Sequence, residues 1–360
     1  MARLDAFFKL MHEQGASDLH LAAGQPPALR LRGDIERVKY KVLTNDELRS
    51  MIYEIAPEEK VKVFEETGDV DFGYEIPGLA RYRVNFFMQK NGVGAVFREI
   101  PTRVMTAEEL GLPQVIPKLA TLPRGLILVT GPTGAGKSTT LAAIIDVANR
   151  ERRDHIITVE DPIEFVHESQ GCIVNHREVG LHTKDFTAAL RGALREDPDI
   201  ILVGELRDLE TISLAIEAAS TGHLVFATLH TSSAPKTVDR MIEVFPAHEQ
   251  PQIRSTLSDS LRAVVAQTLF KRADRTGRIA ALEILIATPA VRNLIREGKS
   301  HQIPSMIQTG KKYGMQLLDD AIMDLYQKRQ ITADDAYGKA NDKSRFRPFI
   351  HGEPADFTEA

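Results

Sequence analysis

The sequence predicts an α/β protein, with a parallel sheet covered by helices on both faces and a smaller α+β domain in front of it. Two observations carry this. From residue 124 onward, short apolar runs alternate with helical stretches. LILVT, HIITVE, DIILVGE and LVFATLH are each bounded by turn residues, and such nearly continuous apolar strands are buried on both faces. In the first third, DVDFGYEI, ARYRVNFFMQ and GVGAVFREI instead alternate polar with apolar residues, the pattern of an antiparallel sheet with one solvated face. A chain of 360 residues also exceeds what one core usually serves.

The elements follow in order. Leu4, Phe7, Phe8 and Met11 recur at helical spacing, which predicts an opening amphipathic helix. LHLAAG and ALRLRG read as strands. Thr44 with Glu47 forms a capping box that opens a helix, and a second helix follows Pro57. These make the small domain, 1–100. Pro101, Pro113, Pro117 and Pro123 punctuate an expected interdomain linker, 101–123, with one short helix near Thr106 to Leu110. The larger domain spans 124–350. From about Ala247 it reads as mostly helical, with one hairpin around Asp274 to Gly277, and 351–360 reads as a flexible tail.

Composition narrows the class. Hydrophobic residues make up 43% and charged residues 26%, the balance of a soluble globular protein. A net charge of -5 offers no global attraction to nucleic acid or to an anionic membrane. Cys172 is the single cysteine, so neither an intrachain disulfide nor a four-cysteine zinc site can form, which suits a reducing compartment. Charges at Arg3, Asp5, Lys9 and Glu13 break any signal-peptide core, and no apolar run is long enough to span a bilayer.

The strongest chemical signal is GPTGAGKST, residues Gly131, Pro132, Thr133, Gly134, Ala135, Gly136, Lys137, Ser138 and Thr139. It stands between a buried strand and an amphipathic helix, the context a Walker A loop requires. The glycines let successive N–H groups face one anion, and the positive end of the following helix adds to the attraction. Lys137 is placed to reach β- and γ-phosphates, and Ser138 to hold Mg²⁺, so ATP and Mg²⁺ are the expected cofactors.

A carboxylate site should follow on a neighbouring strand. DPDIILVGE puts Glu205 at the carboxyl end of an apolar strand, where ligands gather in open α/β sheets. There it can act on Mg²⁺, its extra methylene relative to the commoner Asp favouring contact through a water over direct contact. HIITVE ends in Glu160, Asp161, Pro162, Ile163 and Glu164, and hydrolysis needs one such group to deprotonate water. The residues alone do not choose among Glu160, Asp161 and Glu164. His223 and His230 bracket LVFATLH, at opposite ends of a strand, which speaks against a shared metal. A structural role, a supporting role behind the site, or γ-phosphate sensing stays open for each.

Four blocks thus stand in order: GPTGAGKST, ITVEDPIEF, DPDIILVGELRD and STGHLVFATLHT. Together they resemble the Walker A, Asp box, Walker B and His box of the secretion-ATPase superfamily, the motors of type II secretion and type IV pili. ASDLHL resembles that superfamily's amino-terminal domain, so the likeness runs from about residue 3 to 340. Within it the chain is most similar to the pilus-retraction ATPases. It opens directly at the small domain, it lacks a four-cysteine module, and AVRNLIREG resembles a carboxyl-terminal helix motif linked to retraction, with Val291 where many members have isoleucine. On residues alone, that motif is an amphipathic helix with Val291, Leu294 and Ile295 inward.

The resemblance implies a RecA-like P-loop ATPase domain behind a PAS-like amino-terminal domain. It implies Glu164 as the catalytic glutamate, Glu205 as the Walker B acid, His223 and His230 as the functional His-box pair, and a homohexamer with nucleotide between subunits. Arginines of the small domain should approach the phosphates, with Arg81, Arg83 and Arg98 the candidates; alternation puts Arg81 and Arg83 on one face. The implied partners are an inner-membrane pilus platform protein, the paralogous assembly ATPase and other pilus machinery. The expected location is cytoplasmic, peripheral to the inner membrane, with no stable nucleic-acid binding. The rival readings are a pilus-assembly or type II secretion ATPase, a nucleic-acid translocase, and a nucleotide-regulated binding module that hydrolyses little.

Overall fold

A computed structural model describes residues 3–31, 33–100, 103–274 and 276–350. The expected tail at 351–360 lies outside the described residues, as do the first two positions of the expected linker. By packing, the chain divides into two units. Met1–Arg103 with Pro162–Val166 form one; Val104–Asp161 with His167–Ala360 form the other.

The first unit holds strands β1 (Asp18–Ala22), β2 (Ala28–Leu31), β3 (Asp34–Arg37), β4 (Asp69–Ile76), β5 (Ala80–Gln89) and β6 (Gly92–Ile100). They form one antiparallel sheet in the order β3-β2-β1-β6-β5-β4. Helices α1 (Asp5–Glu13), α2 (Asn45–Tyr53) and α3 (Glu58–Thr67) accompany it. The helical spacing at the start is realised, since Leu4, Phe7, Phe8 and Met11 are all buried. Both halves of the Thr44–Glu47 capping box are formed. On β5 the alternation is visible residue by residue, with Ala80, Tyr82, Val84 and Phe86 in the core and Arg81 and Arg83 on the other face. The exposed strand β3 was not foreseen, because DIER has no apolar face to signal it.

The second unit is built on β7 (Gly125–Thr130), β8 (His155–Glu160), β9 (Ile173–Glu178), β10 (Ile200–Val203), β11 (Leu224–Leu229), β12 (Leu261–Lys271) and β13 (Arg278–Ile286). The sheet order is β13-β12-β7-β11-β10-β8-β9, parallel from β12 to β9, with β13 antiparallel to β12. Alternate residues of one strand enter different cores. Leu126 and Leu128 pack on one face; Ile127 and Val129 pack on the other. This is why these strands read as unbroken apolar runs.

The helices are α4 (Val115–Lys118), α5 (Lys137–Glu151), α6 (Phe186–Ala193), α7 (Leu209–Thr221), α8 (Ala234–Glu243), α9 (Gln250–Ser260), α10 (Pro289–Arg296), α11 (Ile303–Thr309), α12 (Leu318–Gln327) and α13 (Ala333–Lys339). Two expectations need correction. The helix expected at Thr106 to Leu110 is a turn, in which Thr106 and Glu109 cap each other but no helix continues. The helix comes later, as α4, and Ile116, Leu119 and Ala120 enter the second unit's core. The stretch after Ala247 is less helical than expected, because β12 and β13 are long strands joined across the anticipated turn. In the AVRNLIREG segment, Val291 and Ile295 of α10 are fully buried and Leu294 packs against the same core. Among the described residues, no helix is long and apolar enough to cross a membrane.

Candidate functional site

The loop between β7 and α5 takes its shape from its glycines. Gly131, Gly134 and Gly136 have φ of 143°, 77° and 87°, a region other residues rarely adopt. At Gly131 the lack of a side chain also permits close approach, since a Cβ there would lie 2.3 Å from the Gln267 carbonyl oxygen. Gly136 precedes α5 with no side chain capping the helix, so its first-turn N–H groups stay available to a ligand. Thr133 and Gly134 are exposed, Ala135 is buried, and Ser138 and Thr139 are half-buried in the first turn of α5. The Lys137 ammonium donates to the carbonyls of Gly131 and Pro132, at 3.0 and 3.3 Å.

Glu205, just past the end of β10, meets two cationic or donor groups. Arg207 Nη2 donates to its Oε2 at 2.9 Å, and His230 Nε2 lies 3.0 Å from its Oε1. A carboxylate only accepts, so Nε2 carries the proton. Burial works to raise the Glu205 pKa, but Arg207, His230 and the charge of Lys137 outweigh it, and the carboxyl is held below its usual range. Lys137, Glu205 and His230 therefore share one electrostatic site at the carboxyl ends of the parallel strands. Asp161 adds its field to Arg207.

His223 is not brought there. It precedes β11, whereas His230 follows it, and its Nδ1 is 2.9 Å from the Ala218 carbonyl near the end of α7. Glu164 lies in Pro162–Val166, the segment that groups with the first unit, whereas Glu160 and Asp161 stay with the second.

In the first unit, Arg83 and Arg98 are direct register partners across β5 and β6, hence on one face. Each candidate arginine meets a carboxylate. Arg81 lies 3.5 Å from Glu75, Arg83 lies 3.9 Å from Asp71, and Arg98 donates to Asp18 at 2.9 Å. Asp18 is only 3% exposed and also draws Arg30 to 3.7 Å, so this pair is structural as well as charged.

The profile of the type II/IV secretion system protein family matches residues 4–276. The chain belongs to this family. Membership bears out the resemblance drawn from the four motifs, and the matched span takes in all four of them. The chain is 56% identical over 334 residues to the type IV pilus retractation ATPase PilT of Pseudomonas aeruginosa, covering 93% of this chain and 97% of that protein. It is 51% identical over 314 residues to a twitching motility protein of Neisseria gonorrhoeae, covering 87% and 84%. The crystal structure of the pilus retraction motor PilT with bound ADP matches with a TM-score of 0.89 at 44% identity, over 97% of this chain and 99% of that one.

This family member has site residues that sequence reasoning missed. Arg207 follows Glu205 in the quoted block but carries no motif meaning by itself. Gln267 is the larger omission. From β12 its Nε2 donates to the Ala135 carbonyl at 2.6 Å, and its Oε1 accepts from the Thr140 hydroxyl at 2.8 Å. It buttons the phosphate loop to the first turns of α5. A polar residue inside the apolar run AVVAQTLF was the available signal.

Proposed function

We propose that the chain is an ATP-hydrolysing motor that works as a homohexamer and drives retraction of type IV pili. The observation that carries this is the convergence of Lys137, Glu205 and His230 beside a phosphate loop of three positive-φ glycines. The likeness to retraction and twitching motility proteins along nearly the whole chain supports the direction of work.

The residues fit ATP with Mg²⁺. The backbone of 131–136 and the start of α5 supply N–H donors, Lys137 supplies a mobile positive charge, and Ser138 with the ionised Glu205 supplies oxygen ligands. Mg²⁺ there would neutralise charge on the phosphate oxygens. Glu164 accepts a proton from the attacking water, the role implied by the Asp box. His230 orients Glu205. Arg81, Arg83 and Arg98 lend charge to the phosphates, and His223 is the second member of the His-box pair. Small domain, linker and ATPase domain at 1–100, 101–123 and 124–350 are the moving parts. The partner is an inner-membrane platform protein, with the motor on the cytoplasmic side.

Glu164→Gln should keep ATP binding and lose multiple-turnover phosphate release to the Lys137→Ala background; undiminished turnover would reject Glu164 as the base. In cells, deletion should leave piliated bacteria that cannot retract. Bald cells would mean an assembly motor instead.

A further inference from the structure

The stretch that leaves β8 after Glu160 and returns as β9 at Ile173 is tied down along its second half. The Asn149 side chain, fully buried near the end of α5, donates to the Glu168 carbonyl at 2.8 Å and accepts from the Gln170 N–H at 3.1 Å. The Asn149 carbonyl accepts from Gly171 and Cys172. Ahead of that anchor comes His167, whose backbone N–H donates to Nε2 of His176 in β9 at 3.0 Å.

His176 Nε2 also lies 3.3 Å from the His167 carbonyl, but its shorter contact is with the N–H, which can only donate. With Nε2 as the acceptor, the ring proton falls on Nδ1, 2.8 Å from Thr158 Oγ1 of β8. Glu160 Oε1 lies 3.8 Å from the same Nδ1. The His167 ring stacks on that of His176, with centroids 5.9 Å apart. Burial and the neighbouring His176 hold the His167 pKa down to about 4, so at neutral pH it brings no charge to the pair. At the other end of the stretch, Val179 N–H donates to the Glu160 carbonyl. Both fixing points thus come from β9 or its immediate continuation. Between them lies the segment that contains Glu164 and groups with the other unit.

We propose that His176 is a positioning residue for hydrolysis: by clasping the His167 amide it fixes where the Glu164-bearing segment rejoins the sheet, and so sets the reach of the Glu164 carboxylate. This rests on Glu164 being the base. A general base displaced by an ångström can lose roughly 100-fold in rate without any loss of substrate affinity. The clasp needs an acceptor facing His167 and a donor facing Thr158 on one side chain.

The test compares two substitutions. His176→Leu fills space but can neither accept nor donate, whereas His176→Gln offers a carbonyl oxygen to His167 and an amide N–H to Thr158. His176→Leu should lower kcat at least about tenfold, with ATP affinity within about twofold of the parent, and His176→Gln should recover most of the loss. Parental kcat in His176→Leu alongside an inactive Glu164→Gln overturns the clasp. Normal turnover in Glu164→Gln removes the base assignment first, and the proposal with it. Should His176→Leu fail to fold, hydrogen exchange on the unaltered chain decides. The His167 amide should exchange at least about 100-fold more slowly than an unprotected amide, and unprotected exchange there overturns the proposal.

Discussion

Replacing Gln267 by leucine tests whether the phosphate loop is held from the neighbouring strand. The side chain is 3% exposed and its two partners, Ala135 and Thr140, are 3% and 2% exposed. Leucine fills the same space but leaves the Ala135 carbonyl and the Thr140 hydroxyl buried without these bonds. Each such orphan costs about 1–3 kcal/mol, so the pair costs about 2–6 kcal/mol. In a domain of this size that lowers the melting temperature by roughly 5–20 °C. The chain has no tryptophan, so unfolding is best followed by circular dichroism. If about 1–2 kcal/mol of the loss falls on the binding-competent form of the loop, the dissociation constant for ATP rises roughly five- to thirtyfold. Gln267→Glu separates the two bonds, because it still accepts from Thr140 but places oxygen against oxygen at Ala135. A Gln267→Leu protein melting within about 2 °C of the parent, with ATP affinity within about twofold, would refute the reasoning.

Three further outcomes are expected. Gly131→Ala should impair ATP binding far more than Gly134→Ala, since a Cβ at Gly131 meets the Gln267 backbone whereas one at Gly134 meets nothing within 4 Å; equal losses by calorimetric titration would contradict this. Because the His167 pKa falls to about 4 in the fold, the unfolded chain binds the extra proton between that value and the ordinary 6.5, and stability drops as pH falls through this window. From pH 7 to pH 5 this one group costs about 2 kcal/mol, so His167→Phe should melt with a visibly shallower pH dependence than the parent. His230→Ala removes the donor that orients Glu205, and should lower kcat about 10- to 100-fold with ATP affinity nearly unchanged; an equal loss of affinity would make His230 a binding residue instead.

Much of this site was legible because its chemistry is local in sequence. The phosphate loop needs glycine at set intervals, a lysine and a hydroxyl in one turn, and all are written consecutively from Gly131 to Thr139. Glu205 was legible because a charge at the end of IILV has one physical place to go, the carboxyl edge of a buried strand. The strands of the larger sheet were legible where both faces are buried. They were not where one face is polar: IVNHRE in β9 offers no apolar run to mark it as a strand, yet it pairs with β8 along its whole length. The roles of His223 and His230 could not be separated by spacing. The fold separates them, joining His230 to Glu205 and leaving His223 at the far end of β11.

What sequence reading missed has a common cause. Gln267 acts on a loop 132 residues away, and Asn149 and His176 on a connection 19 and nine residues away, all through hydrogen bonds to backbone groups. Such bonds place no demand on the identity of the residue they hold, so no pairing pattern marks them. They do obey one rule that a bare sequence can be searched for. A polar side chain inside an otherwise apolar element is costly unless it satisfies a specific partner, and in an α/β sheet the partners most in need are the loops at the strand ends. Gln267 in AVVAQTLF and Asn149 in LAAIIDVANR meet that description, and both reach the connections that follow β7 and β8. Neutral polar side chains such as Gln267 and Asn149 thus hold the connections that carry the charged residues motifs reveal. Substituting them should alter turnover while every Walker residue stays in place.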